Sequence, residues 1–93
     1  MVKKVVKLSA TWCNPCKYYK EIFDKVTKKT EFSDIEFIQY DVENDDEGVK
    51  MCNTHQIFNI PTTILFDENN DVINKLIGVV SENELIATIQ KNL

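Results

Sequence analysis

Two cysteines stand three residues apart at the place where a predicted strand ends and a predicted helix begins. The strand covers residues 5–10 and is rich in β-branched side chains, which favour extended backbone. Pro15 lies between Cys13 and Cys16, and it fits the first turn of a helix, where the missing N–H would have had no partner. The strand, the turn and the helix start are therefore fixed in order, and both thiols lie at their junction.

The apolar side chains that follow Cys16 recur at spacings of three and four residues, which predicts an amphipathic helix of about four turns. These positions are Tyr19, Phe23, Val26 and Thr30. Residues 35–42 predict a second strand, apolar enough to lie centrally in a sheet. An acidic turn at residues 44–48 then precedes a short helix predicted over residues 49–56.

The last part of the chain predicts a hairpin and a terminal helix. Strands over residues 62–66 and 72–77 are separated by the polar segment 67–71, which is short enough for antiparallel pairing. Ser81 and Glu84 form a capping box at the start of the last helix, and Val80 and Leu85 are placed as its hydrophobic staple. The order βαβαββα predicts a single α/β domain over residues 1–93, with a four-stranded mixed sheet flanked by three helices.

The charge of the chain argues against nucleic acid as a partner. Fifteen acidic residues against eleven basic ones give a formal net charge of -4, whereas binding to phosphates requires a basic surface. No apolar run approaches the roughly 18 residues of a membrane span, and Lys7 interrupts any N-terminal signal region. We therefore expect a cytoplasmic protein without membrane association, in a compartment where thiols are kept reduced.

The cysteine pair has a specific chemical consequence at a helix N-terminus. Cys13 would lie near the N-cap, where unpaired N–H groups and the helix dipole stabilise a thiolate. Cys16 follows nearly one turn later, so that it can attack the Cys13 sulfur once Cys13 has attacked a substrate disulfide. This dithiol cycle needs no cofactor. The same spacing also fits half of a structural metal site, and three cysteines, an odd number, do not make a disulfide scaffold.

Residues 9–17, with the sequence SATWCNPCK, closely resemble the active-site segment of thioredoxins, whose usual form is W-C-G-P-C-K. The segment Ile60-Pro61-Thr62 is similar to the thioredoxin segment whose cis-proline faces the active-site sulfur. Gly78 falls 17 residues after Pro61, where thioredoxins carry a glycine. The chain is thus identified by resemblance as a short member of the thioredoxin family, without the N-terminal strand and helix that thioredoxins usually have.

This resemblance implies a thioredoxin-like fold and a thiol–disulfide oxidoreductase that reduces protein disulfides. Cys13 would be the exposed nucleophile, and Cys16, deeper in the structure, would resolve the mixed disulfide. A thioredoxin reductase or an equivalent electron donor would regenerate the dithiol, and neither a cofactor nor a metal is implied. The other implied site residues form the rest of the motif and a substrate-binding surface: Trp12, Asn14, Pro15 and Lys17 in the motif, and Ile60, Pro61 and Gly78 on the surface.

Several of these residues have implied roles. Trp12 would cover and position the motif. Pro61 in its cis form would present the Ile60 backbone to a bound peptide, and Gly78 would let the substrate backbone approach. The Asn-Pro dipeptide keeps the proline associated with reducing members of the family, which favours a reductant.

Lys7 is the most informative departure from the family pattern, because it lies six residues before Cys13, where thioredoxins typically bury an aspartate. That aspartate serves as proton acceptor for the resolving cysteine. Burial should lower the pKa of a lysine, and a nearby cation should favour thiolates. We hypothesise that Lys7 replaces the carboxylate either electrostatically or as a neutral amine base. The competing interpretation is that its long side chain extends outward and takes no part.

Two other functions remain possible interpretations of the sequence. A glutaredoxin-like enzyme that uses glutathione would share the fold, although glutaredoxins favour Pro-Tyr between the cysteines and carry a Gly-Gly pair that is missing here. Cys52 and His55 could join Cys13 and Cys16 as four zinc ligands of a small interaction module, but a buried cysteine is more often a small core residue. We expect a monomer, because no surplus apolar stripe remains.

Overall fold

The computed structural model describes residues 1–93 and has its elements in the predicted order. A 3₁₀ turn, Thr30–Phe32, separates the first helix from the second strand. The strands are β1 Val2–Ser9, β2 Glu36–Asp41, β3 Thr62–Asp67 and β4 Val72–Ile77, and the helices are α1 Asn14–Thr27, α2 Asp46–His55 and α3 Glu82–Lys91. None of the three helices combines the length and the apolar character needed to cross a bilayer.

The four strands form one mixed sheet in the order β2-β1-β3-β4. Strand β1 pairs in parallel with β2 and antiparallel with β3, and β3 pairs antiparallel with β4. The predicted parallel pair, hairpin and mixed sheet are therefore confirmed. Side chains alternate across β1, so that Val5 belongs to the core under α1 and α3, whereas Val6 belongs to the core under α2.

The prediction that the second strand is central is wrong, since β2 is an edge strand with β1 as its only neighbour. Its apolar character has another cause. Phe37 packs against the core below α1 and α3, while Ile38 and Tyr40 pack against the core on the side of α2. A strand covered by helices on both faces has apolar side chains on both faces, whether or not strands flank it on both sides.

Helix α1 buries Cys16, Tyr19, Phe23 and Val26, the stripe that the spacing predicted. The exception is Thr30, which lies in the 3₁₀ turn beyond the end of the helix. The stripe packs on the sheet together with Leu85 and Ile89 of α3. Tyr19 also donates or accepts a 2.6 Å hydrogen bond with the hydroxyl of Thr63 on β3, which holds the first turns of α1 against the middle of the sheet.

Helix α2 starts at Asp46, three residues earlier than predicted, with Asp45 as its N-cap. Its first turn lies unusually close to β2. A Cβ atom on Gly48 would lie 2.5 Å from the Asp41 carbonyl oxygen, a distance that side chains do not tolerate. Glycine is therefore required at this approach. The Val42 N–H donates to the Ser9 carbonyl at 2.8 Å, which holds the loop after β2 beside the end of β1.

Candidate active site

The two cysteines of the C-x-x-C motif form a disulfide at the start of α1, with Cα atoms 5.2 Å apart. Cys13 is the N-cap residue, in extended conformation with φ -88° and ψ 109°. Its Sγ accepts a hydrogen bond from the backbone N–H of Cys16 at 3.2 Å. This N–H is one of the groups that a helix start leaves without a backbone partner. The predicted N-cap position of Cys13 is thus what the structure shows.

The predicted difference in exposure between the two cysteines is not found. Cys13 is 5% exposed and Cys16 is 4% exposed, so both are buried in the disulfide form. The reason is a contact that the local sequence does not reveal: with Ala10 they form a small apolar cluster, against which Ile60 and Val42 pack from distant parts of the chain. Burial alone therefore does not distinguish the nucleophile from the resolving thiol.

The peptide bond between Ile60 and Pro61 is cis, as the resemblance implied. The Ile60 carbonyl oxygen lies 3.9 Å from Cys13 Sγ, which places this loop directly over the sulfur. Neither the N–H nor the carbonyl oxygen of Ile60 is paired with another backbone group. An extended peptide lying beside Cys13 would therefore find one free donor and one free acceptor at Ile60.

Gly78 lies next to this loop and is required by its backbone conformation. Its φ of +84° is in the region that residues with a side chain rarely adopt. Its N–H donates to the Pro61 carbonyl at 2.8 Å, which ties the end of β4 to the cis-proline loop. No atom lies within 4 Å of the place where a Cβ would project, so the surface above Gly78 is open.

Trp12 precedes the motif and is 63% exposed. Its indole Nε1–H donates to the Glu43 carboxylate, a residue that sequence reasoning missed. The signal that could have found it is the parallel pairing of β1 and β2, which brings the carboxyl ends of both strands to one edge. Glu43 follows β2 as Trp12 follows β1. The structure therefore adds Glu43 to the site as the residue that orients the indole.

Lys7 is 2% exposed, so its side chain does not extend outward into bulk solvent. Its Nζ lies 5.3 Å from the centroid of the Phe23 ring and makes no hydrogen bond to the protein, but it still reaches solvent, since no fully buried side-chain nitrogen lacks a partner. Together with Cys16 it lines a cavity of about 320 Å³. Burial lowers the pKa of Lys7 from its usual 10.5, and the nearby Asp24 carboxylate partly opposes this shift. A lysine whose side chain is largely buried thus shares a cavity with the second cysteine.

The remaining motif residues lie at the surface of the first turn of α1. Asn14 opens the helix and Pro15 occupies its first turn, both exposed. Lys17 is exposed, lines the same cavity as Lys7, and donates its backbone N–H to the Cys13 carbonyl at 3.3 Å. The structure thus brings all the predicted motif residues to one end of the sheet.

Cys52 and His55 lie elsewhere, on α2. Cys52 packs against the core on that side of the sheet, where burial raises its pKa. The His55 ring packs edge-on against Phe66 at 5.5 Å, and burial together with the Lys75 ammonium lowers its pKa. Cys52 therefore has the core role that the sequence favoured, and His55 packs against the same side of the sheet. No three His, Cys, Asp or Glu side chains are arranged to hold a metal ion.

Taken together, this geometry defines a class of redox protein that exchanges disulfides through two cysteines at a helix N-terminus. Comparison with known proteins gives the family. The family model described as Thioredoxin matches residues 2–91. A thioredoxin from Mycoplasmoides gallisepticum is 35% identical over 83 residues, covering 89% of this chain and 77% of that protein. The thiol-disulfide oxidoreductase ResA of Bacillus cereus is 30% identical over 100 residues, covering 87% of this chain and 58% of that protein.

Solved structures agree with the sequence comparisons. Thioredoxin from Malassezia sympodialis superposes with a TM-score of 0.82 at 26% identity, over 95% of this chain and 72% of that one. The oxidised form of mitochondrial thioredoxin 3 from Saccharomyces cerevisiae gives a TM-score of 0.78 at 27% identity, over 95% and 76% of the two chains. The chain belongs to the thioredoxin family, and it is a thiol–disulfide oxidoreductase that acts on disulfide substrates.

Proposed function

We propose that this protein is a reductant of protein disulfides, with Cys13 as the nucleophile and Cys16 as the resolving thiol. The observation that carries the proposal is the N-cap geometry, in which Cys13 Sγ already accepts the Cys16 N–H at 3.2 Å. After reduction the same N–H and the helix dipole would stabilise a thiolate on Cys13. No comparable donor to the Cys16 sulfur is found, which supports this division of roles.

The reaction is a pair of thiol–disulfide exchanges. The Cys13 thiolate attacks one sulfur of the substrate disulfide, and the other substrate sulfur leaves as a thiolate. Cys16 then gives up its proton and attacks the Cys13 sulfur, which forms the Cys13–Cys16 disulfide and releases the second substrate thiol. The substrate gains two electrons and the protein loses two. The Cα separation of 5.2 Å is one that a disulfide spans, so the second step joins groups already in reach.

Substrate is held, in this proposal, by the free backbone groups of Ile60. A peptide that pairs with Ile60 has its own sulfur near Cys13, because the Ile60 carbonyl is 3.9 Å from that Sγ. The open surface at Gly78, beside the cis-proline loop, leaves room for the peptide backbone. Trp12, directly before Cys13 in the chain, is held by Glu43 at the border of the site.

Lys7 acts on the resolving step. Its side chain is buried, and its amine makes no hydrogen bond to the protein and lines a cavity with Cys16. Both hypotheses from the sequence fit this arrangement. As a cation it would stabilise the Cys16 thiolate, and as a neutral amine it would take the Cys16 proton. The two mechanisms have opposite dependence on pH, because only one of them needs the amine deprotonated.

The electron donor in this proposal is a thioredoxin reductase or an equivalent enzyme, and the protein works as a monomer in the cytoplasm. The location is supported by the chemistry, since a reductant is useful where a reductase keeps dithiols reduced. The monomer is supported by the covered faces of the sheet. The apolar core on one face lies under α1 and α3, and that on the other face packs against residues of α2.

The test is the reduction potential of the Cys13–Cys16 pair. It is measured by alkylation and mass analysis of the protein equilibrated in defined dithiothreitol buffers. We expect reversible loss of two thiols at a strongly reducing potential, near the roughly -270 mV of thioredoxins. A value near the roughly -200 to -230 mV of glutaredoxins, together with turnover supported by glutathione alone, would instead favour the glutaredoxin-like function.

Substrate trapping tests the roles of the two cysteines. Cys16→Ser should accumulate mixed disulfides with proteins, because the resolving thiol is absent. Cys13→Ser is the matched control and should trap none. If Cys13→Ser traps proteins and Cys16→Ser does not, the proposed roles are reversed.

A further inference from the structure

A small pocket of about 140 Å³ adjoins the cis-proline loop. Phe58 and Ile77 contribute apolar walls, and Asn59 and Thr62, which flank the Ile60–Pro61 peptide, also line it. The pocket is thus continuous with the surface that presents Ile60 to substrate. The established disulfide exchange does not use it.

The loop that carries Phe58 is held by hydrogen bonds at both ends. Gln56 ends α2 in the left-handed conformation, and the Ile57 N–H donates to the Cys52 carbonyl at 2.9 Å. At the other end, the Thr62 hydroxyl donates to the Asn59 carbonyl at 2.6 Å. Between these anchors the Phe58 side chain is presented in a defined place.

Phe58 is 88% exposed, the highest value among the large apolar residues of the chain. Ile77, on the facing strand, is 64% exposed. Two large, exposed apolar side chains that line one pocket, both on anchored backbone, form a surface that gains from being covered. Lys75 also lines the pocket, but its ammonium donates to the His55 carbonyl at 2.9 Å, so it is already engaged.

We propose that this pocket, walled by Phe58 and Ile77, is a specificity subsite that accepts an apolar side chain flanking the reactive cysteine of a protein substrate. The inference rests on the proposed function and names the substrates that it favours. We infer the occupant of the pocket from its position beside the loop that carries Ile60. A peptide whose sulfur lies at Cys13 and whose backbone pairs with Ile60 must pass Gly78, and the side chain beside its cysteine then meets Phe58 and Ile77.

The experiment compares peptides that differ only beside the cysteine. Each peptide carries one cysteine as a mixed disulfide with 2-nitro-5-thiobenzoate, flanked on both sides by phenylalanine, by serine or by aspartate. The aromatic thiolate is the better leaving group, so the reduced protein attacks the peptide sulfur and releases a coloured product. We expect the second-order rate constant for the phenylalanine peptide to exceed that for the serine peptide by about ten-fold.

The variants Phe58→Ser and Ile77→Thr should bring that ratio to within about two-fold of one, because each removes one apolar wall. Val72→Thr is the matched control for Ile77→Thr, since it makes a similar change at the far end of the same strand, and it should keep the parent ratio. Thermal unfolding of all variants checks that the fold is retained.

The outcomes separate this subsite from the proposed function. If the protein reduces the phenylalanine and serine peptides at equal rates, the reductant function stands and the subsite is overturned. A preference that survives in both Phe58→Ser and Ile77→Thr also overturns it, as does a preference for the aspartate peptide, which would assign the pocket to Lys75. Failure of the parent to react with any of the peptides overturns both proposals.

Discussion

Helices α1 and α3 begin with the same hydrogen bond made by different atoms. At α1, Cys13 Sγ accepts the N–H of Cys16 at 3.2 Å, and at α3, Ser81 Oγ accepts the N–H of Glu84 at 3.0 Å. Both cap residues have extended backbone, and each bond spans three residues. Each satisfies one of the N–H groups that a helix start leaves unpaired.

The two starts differ in what surrounds the capping atom. Ser81 is exposed and follows Val80, which packs with Leu85 in the core, so this cap holds the last helix on the sheet. Cys13 lies under the Ile60 loop, and its capping atom is also a nucleophile once the disulfide is reduced. One backbone arrangement therefore stabilises a helix at α3 and prepares a reactive sulfur at α1.

Replacing the capping sulfur by oxygen should separate these two uses. In Cys13→Ser the hydroxyl still caps α1, but no thiolate forms, so reduction of a protein disulfide should fall by at least about a thousand-fold. The free energy of unfolding should stay within about 0.5 kcal/mol of the parent protein held reduced, because serine is a good N-cap. Turnover assays and urea unfolding measure the two quantities.

Cys52→Ser is the control for this change, since it alters a cysteine on α2 outside the site and should leave turnover intact. Retention of substantial turnover in Cys13→Ser would contradict the comparison, because Cys16 would then be able to act as the attacking thiol.

The start of α1 differs from that of α3 in a second respect, because the Lys7 side chain lines a cavity together with its second cysteine. Lys7→Met should slow the release of a peptide from its mixed disulfide with Cys13 by about ten-fold or more, because Cys16 loses either its proton acceptor or its stabilising cation. Rapid mixing of a preformed mixed disulfide gives this rate. Lys4→Met, on the same strand, is the control and should match the parent.

The pH dependence distinguishes the two mechanisms. If the neutral amine is the base, the advantage of the parent over Lys7→Met grows as pH rises through the Lys7 pKa; if the cation acts, the advantage shrinks. The free energy of unfolding gives an independent check of the lowered Lys7 pKa. The folded-state pKa of Lys7 is lowered, so the unfolded chain binds more protons, and the parent should gain stability relative to Lys7→Met as pH rises toward 10.5. Equal resolution rates at every pH would leave Lys7 without a part in the reaction.

The sequence alone predicted the order of elements and the N-caps of α1 and α3, because these depend on local spacing and capping. It could not place β2, since helices on both faces of a strand and strands on both sides of it give the same apolar pattern. It also missed the burial of Cys13 beneath Ile60 and the bond from Trp12 to Glu43. Both contacts join distant segments, and they follow from strand register and a cis peptide bond rather than from neighbouring residues.

The smallest expected effect is at the other cap. Ser81→Ala removes the acceptor for the Glu84 N–H and should lower the free energy of unfolding by about 1 kcal/mol, as measured by urea denaturation. Ser33→Ala, at an exposed serine whose side chain makes no hydrogen bond, is the control and should have little effect. The reduction potential of the Cys13–Cys16 pair should be unchanged, because α3 contributes no group to the sulfurs. A shifted potential would mean that α3 influences the active-site cysteines through the core that it shares with α1, and the two helix starts would then not be independent.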